Sequence, residues 1–404
     1  MIELVVDADG ADYQVVVGLR PVDQRPEFLG GREDGVLGDV ESDDGVALAY
    51  DATADAELAL ALLDLVSEGR ESAERVRHVG VEQSNTSLVY DDRLILKLFR
   101  RIQRGPNPEV EVTAALGRVG FSHVAVPVAA STWGDSHLAV VQPFLTGGTE
   151  GWAMALTSLR DLFGVHDTQP LPLINPDIPL SVPDPSEAGG DFSGESERLG
   201  VVTAELHLAM AEAFGVFPAD PEGWAAAIAA EAANVAAGDL DPAKARAIVA
   251  GLQSVADPGS AIRIHGDYHL AQVMRTDTGW FILDFEGEPA RPLAERRLPS
   301  SPLRDVAGML RSFHYAAMVA LGDRDEIALA RAWEERNRQA FLHGYLAEAK
   351  KGSVLPADQA SISAILRAFE LQKSVYELGY ERAHRPDWVA IPGDALGRLT
   401  EGTP

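Results

Sequence analysis

The sequence predicts an α+β protein whose β-rich N-terminal segment gives way to a mostly helical C-terminal segment. Three observations carry this expectation. Residues 76–147 hold short apolar runs of strand period, broken by Asp, Gly and Pro turns. From residue 148 onward, apolar residues recur at helical spacing over long segments. Among those helices, the stretch 262–289 places two acid clusters on either side of a short hairpin.

Composition bounds the possibilities. The chain has 404 residues, enough for two or three domains, with 46% apolar and 24% charged residues. Its 34 basic and 62 acidic residues leave a net charge of −28, which argues against a nucleic-acid backbone or an anionic membrane as partner. The absence of cysteine excludes disulfides, thiolate metal sites and a cysteine nucleophile. No basic-then-apolar leader and no apolar run of membrane-spanning length is visible, so a cytoplasmic protein is expected.

Residues 1–75 read as a small acidic cap: the first 60 residues hold 15 acidic and 3 basic side chains. Short β-like runs are followed by a helix over 53–68, with Thr53 as its N-cap and Leu58, Leu62, Leu65 and Val66 as its apolar stripe. No chemistry is assigned to the cap, because such acidity is usually a solvated face.

Residues 76–147 form the second segment. Strands are expected at 79–82, 87–90 and 94–99, the last with Lys97 inside it. A lysine in an apolar strand is costly unless it snorkels or is paired. A helix at 109–119 follows, with Glu109 and Glu111 in its first turn. A strand lysine paired to a helix glutamate while holding nucleotide phosphates is a kinase device, and Glu111 is chosen as the partner. The loop at 83–86 lacks a G-x-G-x-x-G pattern, so phosphate is expected at backbone N–H groups and the hydroxyls of Ser84, Thr86 or Ser87. Strands at 124–128 and 138–141 lead to a Pro/Gly connector, whose backbone at Gln142, Phe144 and Leu145 is expected to face adenine.

Residues 148–404 form the third segment. A helix at 152–163 precedes a Pro/Gly/Ser/Asp-rich loop at 169–196, a candidate lid, and helices at 197–214, 224–237 and 242–255. In the central stretch, His265-Gly266-Asp267 precedes Gln272 by five positions from the Asp, and Asp284-Phe285-Glu286 follows the apolar run 280–283. An Asp on a tight loop accepts a hydroxyl proton; an amide five residues on and an Asp after a strand hold a metal against phosphate. Either cluster alone is an ordinary loop feature, and the pair around a hairpin (turn at 276–279) is what points to phosphoryl transfer. Helices are expected at 305–319, 331–349 and 358–382. The last carries two i, i+4 stripes, Gln372, Tyr376 and Tyr380, and Glu377 and Glu381, before Trp388.

The blocks at 265–273, 280–297, 301–317, 203–215 and 376–392 resemble the actinobacterial maltokinase-like sugar kinases, relatives of the aminoglycoside phosphotransferases. The resemblance implies a bilobal, eukaryotic-protein-kinase-like fold over about residues 76–392, with ATP and Mg²⁺ in a cleft between lobes. It implies Asp267 as catalytic base, Gln272 and Asp284 as the metal pair, and Lys97 as the phosphate lysine. Substrate contacts are expected at Asp267, His269, Glu286, Gln372, Tyr376, Glu377, Glu381 and Trp388. The N-terminal signature of maltokinases is only echoed, by Gln24-Arg25 and Phe28. That departure turns the expectation away from maltose. The resemblance extends to a group of actinobacterial maltokinase-like relatives that phosphorylate glucosamine, whose ammonium Glu377 and Glu381, with Asp267, are suited to meet, so glucosamine is the acceptor the resemblance implies. An aminoglycoside-type phosphotransferase and a non-catalytic ligand-binding relative are the remaining alternatives.

Overall fold

The computed structural model describes residues 1–24, 26–30, 35–42, 45–79, 85–168, 185, 190–235, 239–288 and 291–401. Arg25, residues 80–84 (most of the strand expected at 79–82, and Ser84) and most of the 169–196 loop, with the expected lid, lie outside the described residues. The chain divides into two compact units, residues 1–117 with 124–147, and residues 118–123 with 148–404.

In the first unit β1 (Ile2–Ala8), β2 (Ala11–Pro21), β3 (Val36–Ser42) and β4 (Gly45–Asp51) make an antiparallel sheet in the order β1-β2-β4-β3. α1 (Ala56–Ser67) follows. Its N-cap is Asp55, whose side chain accepts from the Glu57 N–H, and not Thr53, which sits in the preceding 3-10 turn. Leu62 and Val66 are buried as expected, whereas Leu65 is 54% exposed.

The next strands are β5 (Val76–His78), β6 (Asn85–Tyr90), β7 (Leu94–Phe99) and β8 (Arg101–Ile102), then α2 (Pro108–Arg118), β9 (Ala129–Trp133) and β10 (Ser136–Pro143). They build a second sheet in the order β5-β6-β7-β10-β9, while β8 pairs with β2. The strand expected at 124–128 falls instead at β9, and only the Val128 N–H reaches the ladder, at the Val141 carbonyl (2.9 Å).

Strand alternation explains this sheet's two faces. Leu88, Tyr90, Leu94, Leu96 and Leu98 point to one side and pack with Leu62, Leu63 and Val66 of α1. The Tyr90 hydroxyl, buried there, donates to the Ala59 carbonyl at 2.8 Å. Truncating any of these leucines costs ~2–5 kcal/mol. On the opposite side Phe99, Val110 and Val140 pack α2 against the sheet.

On the cap sheet the apolar side chains of the edge strand β1 are part-exposed, while Val17 beside them is buried. Ile2, Leu4 and Val6 of β1 lie across from Val17, Val15 and Tyr13 of β2, and the three β1 side chains are 43–45% exposed.

The second unit runs β11 (Thr149–Glu150), α3 (Gly151–Thr168), α4 (Ser193–Phe214), β12 (Val216–Pro218), α5 (Pro221–Ala233), α6 (Pro242–Gln253) and β13 (Ser260–Ile262). β14 (Val273–Thr276) and β15 (Gly279–Ile282) form the expected hairpin, with Val273 opposite Ile282 and Thr276 opposite Gly279. Then come α7 (Leu293–Arg296), α8 (Leu303–Leu321), α9 (Ile327–Ala349), α10 (Gln359–His384) and α11 (Ala390–Thr400), the last not anticipated from the sequence. Asp358 caps α10 by accepting from the Ser361 N–H. The core beside the hairpin is aromatic: Phe192 stacks on Trp333 and meets Trp280 and Phe313 edge-on. Such rings contribute through burial plus ~0.5–1.5 kcal/mol per favourable pair. Among the described residues, no helix is long and apolar enough to cross a membrane.

Candidate active site

The loop after β13 carries His265-Gly266-Asp267 and is held by a residue the sequence reading missed. Asp305, in the first turn of α8, accepts from the N–H of His265 (2.8 Å) and of Gly266 (2.9 Å) through separate oxygens. Its Oδ2 also lies 3.2 Å from His207 Nε2, and His207 Nδ1 meets the Tyr345 hydroxyl. Burial opposes charge on Asp305, but the bond to His207, the charges of His207 and His265 and the Gly266 N–H outweigh it, so its pKa is lowered. α8 can approach so closely because residue 308 is glycine: a Cβ there would stand 2.6 Å from the Tyr268 carbonyl oxygen. Gly266, at φ +87°, occupies the left-handed backbone region that glycine tolerates best. A further tie joins the Leu270 N–H to Ser312 Oγ at 3.0 Å. In the sequence Asp305 is only an acid at a helix start, which by itself reads as macrodipole complementation and does not mark a functional residue.

Asp267 is 20% exposed, and Lys373 of α10 donates to its Oδ1 at 3.0 Å. Lys373 also donates to Glu288 Oε1 at 3.1 Å. Burial pushes the Asp267 carboxyl up, but the Lys373 charge and His269 more than reverse that and hold it well below the usual carboxylate range. His269 Nδ1 accepts from the Ala271 N–H, which assigns the ring proton to Nε2, 3.8 Å from Asp267 Oδ2. Lys373 also escaped the sequence reading, since a lysine on an amphipathic helix ordinarily faces solvent.

The expected metal pair is brought together. Gln272 Nε2 donates to Asp284 Oδ2 at 3.1 Å, and the Leu283 N–H bonds the Gln272 carbonyl. Asp284 adopts φ +57°, a conformation costly for a residue with a Cβ, which turns the chain sharply out of β15. Glu286 was expected among the sugar contacts; its carboxylate oxygen lies within 4.8 Å of one from Asp284, on the metal side. Two close carboxylates and an amide oxygen are hard donors of the kind Mg²⁺ takes.

A cleft of about 760 Å³ within this unit is lined by Asp267, His269, Tyr376, Glu377, Glu381 and Trp388, together with Trp152, Tyr315 and Lys373. Six expected substrate residues therefore share one cavity. Gln372 does not line it: one helical turn earlier on α10, its amide donates to Glu231 Oε1 of α5 at 2.9 Å. Glu377 accepts two bonds from Arg311 on Oε2 (3.0 and 2.8 Å). Glu381 is 2% exposed; its Oε1 accepts from the Tyr315 hydroxyl (3.2 Å) and Arg385 Nη2 (2.8 Å), while its Oε2 is buried without a hydrogen-bond partner among the described residues. The Arg385 guanidinium covers the Trp388 ring at 4.5 Å.

In the first unit Lys97 donates to Glu109 Oε2 at 2.7 Å, so among the described residues its carboxylate partner is Glu109 rather than the expected Glu111. Two residues along a helix differ by about 200°, so only one of these acids can face β7; Glu109 is the buried one, at 6% exposure. Ser87 lies directly opposite Lys97 and shares its face. Thr86 points to the other face, where its hydroxyl accepts from Arg100 (2.8 Å), which also binds Asp51 (2.6 Å); it is a structural contact and not a phosphate ligand. Gln142 pairs with Ile95 on the Lys97 face. The Phe144 N–H is taken by the Arg93 carbonyl (2.8 Å), and Phe144 and Leu145 remain part-exposed beyond it.

No protein-family model matches the chain. It is 27% identical to a glucosamine kinase of Mycolicibacterium smegmatis over 84% of this chain and 83% of that protein. It is 26% identical to a glucosamine kinase of Streptacidiphilus jiangxiensis over 80% of this chain and 73% of that one. Among solved structures, a glucosamine kinase in complex with glucosamine, ADP and inorganic phosphate matches with a TM-score of 0.69 at 22% identity, covering 98% of this chain and 90% of that one. A glucosamine kinase in its crystal form A gives 0.65 at 23% identity, again over 98% and 90%. The chain shares the fold of the glucosamine kinases and resembles them in sequence along most of its length.

Proposed function

We propose that this protein is an ATP-dependent sugar kinase whose acceptor is glucosamine, giving glucosamine 6-phosphate. The observation that carries the acceptor is Glu381 Oε2, a buried carboxylate oxygen with no described partner in the cleft that holds Asp267. Leaving such an oxygen unsatisfied is costly, and a substrate ammonium satisfies it with a charge-assisted bond. The names of the relatives support the same reading.

In this mechanism Lys97, fixed by Glu109, and Ser87 meet the nucleotide phosphates, and the backbone at 142–145 meets adenine. Gln272 and Asp284 would hold Mg²⁺, which when bound neutralises charge on the β- and γ-phosphate oxygens. Asp267 Oδ2 takes the hydroxyl proton as the sugar oxygen bonds the γ-phosphorus; the bond to the bridging oxygen breaks and ADP leaves. The protein acts in the cytoplasm, where ATP is supplied.

An acceptor screen with glucosamine, N-acetylglucosamine, glucose, maltose and an aminoglycoside tests the reading, with Asp267→Asn as control. Glucosamine is expected to exceed glucose at least ~10-fold in kcat/KM, and Asp267→Asn to lose ~10²–10⁴. Preference for maltose, or an indifferent Asp267→Asn, overturns the corresponding claim.

A further inference from the structure

We propose that Lys373 is a positioning residue for phosphoryl transfer: it ties one oxygen of Asp267 so that the other is aimed at the acceptor hydroxyl. The proposal rests on Asp267 being the base. Lys373 stands on α10, more than a hundred positions from the catalytic loop, and its side chain is 18% exposed. Its Nζ is 3.0 Å from Asp267 Oδ1 and 3.1 Å from Glu288 Oε1. Glu288, 5% exposed, is itself fixed by Arg291 Nε at 2.6 Å and Arg304 Nη2 at 3.4 Å. The ammonium is thus anchored from behind and has little freedom to follow a moving carboxylate. It lines both the large cleft and a small pocket behind Asp267.

The charged and titratable groups around Asp267 come from each element packed on it. His265 and His269 belong to its own loop, Glu288 and Arg291 follow the hairpin, Arg304 and Asp305 open α8, and Lys373 and Glu377 come from α10. Of these, Lys373 alone makes a direct ion pair within 3.5 Å of Asp267 among the described residues. Asp267 Oδ2, with His269 Nε2 at 3.8 Å, remains the oxygen placed to receive a proton. A carboxylate so paired is a weak base, so it orients the hydroxyl first and takes the proton late, as charge develops on the attacking oxygen.

A lysine between two acids can also be purely structural, and the test separates the roles. Lys373→Met is expected to lower kcat ~10–100-fold, as a misaimed base does, with KM for ATP unchanged. The acidic limb of kcat/KM against pH is expected to move upward by about 1 unit or more, because losing an adjacent cation raises a carboxyl pKa. Lys373→Arg restores some of both. Because Lys373 acts through Asp267, the double variant with Asp267→Asn is no slower than Asp267→Asn alone. If Lys373→Met does not fold, Lys373→Gln, which keeps a donor between the acids, is read the same way. A normal kcat and acidic limb in the lysine variant, with Asp267→Asn inactive, overturns this proposal alone. Losses that multiply in the double variant overturn it too, and a fully active Asp267→Asn removes it together with the base.

Discussion

Replacing Glu381 by glutamine tests acceptor recognition with little change of shape. Glutamine keeps an oxygen for the Tyr315 hydroxyl and Arg385, the two groups that Glu381 Oε1 now satisfies. It exchanges the unpartnered Oε2 for an NH₂ donor, which an ammonium cannot bond. A charge-assisted hydrogen bond is worth ~1.5–3 kcal/mol, or ~10–150-fold in kcat/KM for glucosamine. Arg385, 46% exposed, already offsets some of the carboxylate charge, so the lower half of that range is expected. Glucose carries no ammonium and should change less than ~3-fold. Steady-state ADP release with both sugars gives the ratio of kcat/KM values, and a thermal melt confirms folding. A glucosamine-to-glucose ratio unchanged within about twofold, or a parallel fall for both sugars, refutes the assignment.

Other perturbations follow from the same geometry. Gly308→Ala would push a Cβ against the Tyr268 carbonyl, costing ~1–3 kcal/mol of stability and at least ~10-fold in kcat, read by melting temperature and turnover. Glu109→Gln should raise KM for ATP about tenfold while Glu111→Gln changes it less, since among the described residues Glu109 is the acid whose carboxylate accepts from Lys97. Burial pushes Glu334 up, but His314, Arg338 and Arg398 bring it down to about 2 from 4.5. A depressed carboxyl stabilises the fold fully above its unfolded value, and that contribution, about 3 kcal/mol here, is lost as pH falls from 4.5 towards 2. Melting temperatures between pH 6 and 3 should therefore fall less steeply for Glu334→Gln than for the parent protein.

The features of the site legible in the sequence were those whose chemistry is local. The Asp267 and Gln272 spacing, the hairpin and Asp284 lie within one stretch, and the structure joins Gln272 to Asp284 as that stretch implied. The β7 strand was legible because six residues, apolar but for one, have a single sensible pairing. What escaped was long-range or rotational. Lys373 and Asp305 act on the catalytic loop from helices far along the chain, and nothing in their own windows marks them. The choice of Glu109 over Glu111, the turn of Gln372 towards Glu231 and the reversal of Thr86 all depend on which way one side chain faces. Strand pairing and helix phase set those directions, and neither is fixed by composition.

The part-exposed apolar side chains of β1 have a colloidal consequence. Ile2, Leu4 and Val6 would invite copies of the chain to stick, yet each copy carries a net charge of −28. Mutual repulsion keeps such surfaces apart over roughly 8–10 Å at moderate salt. Acidification towards the isoelectric region or concentrated salt weakens that barrier, so turbidity is expected to rise under either condition.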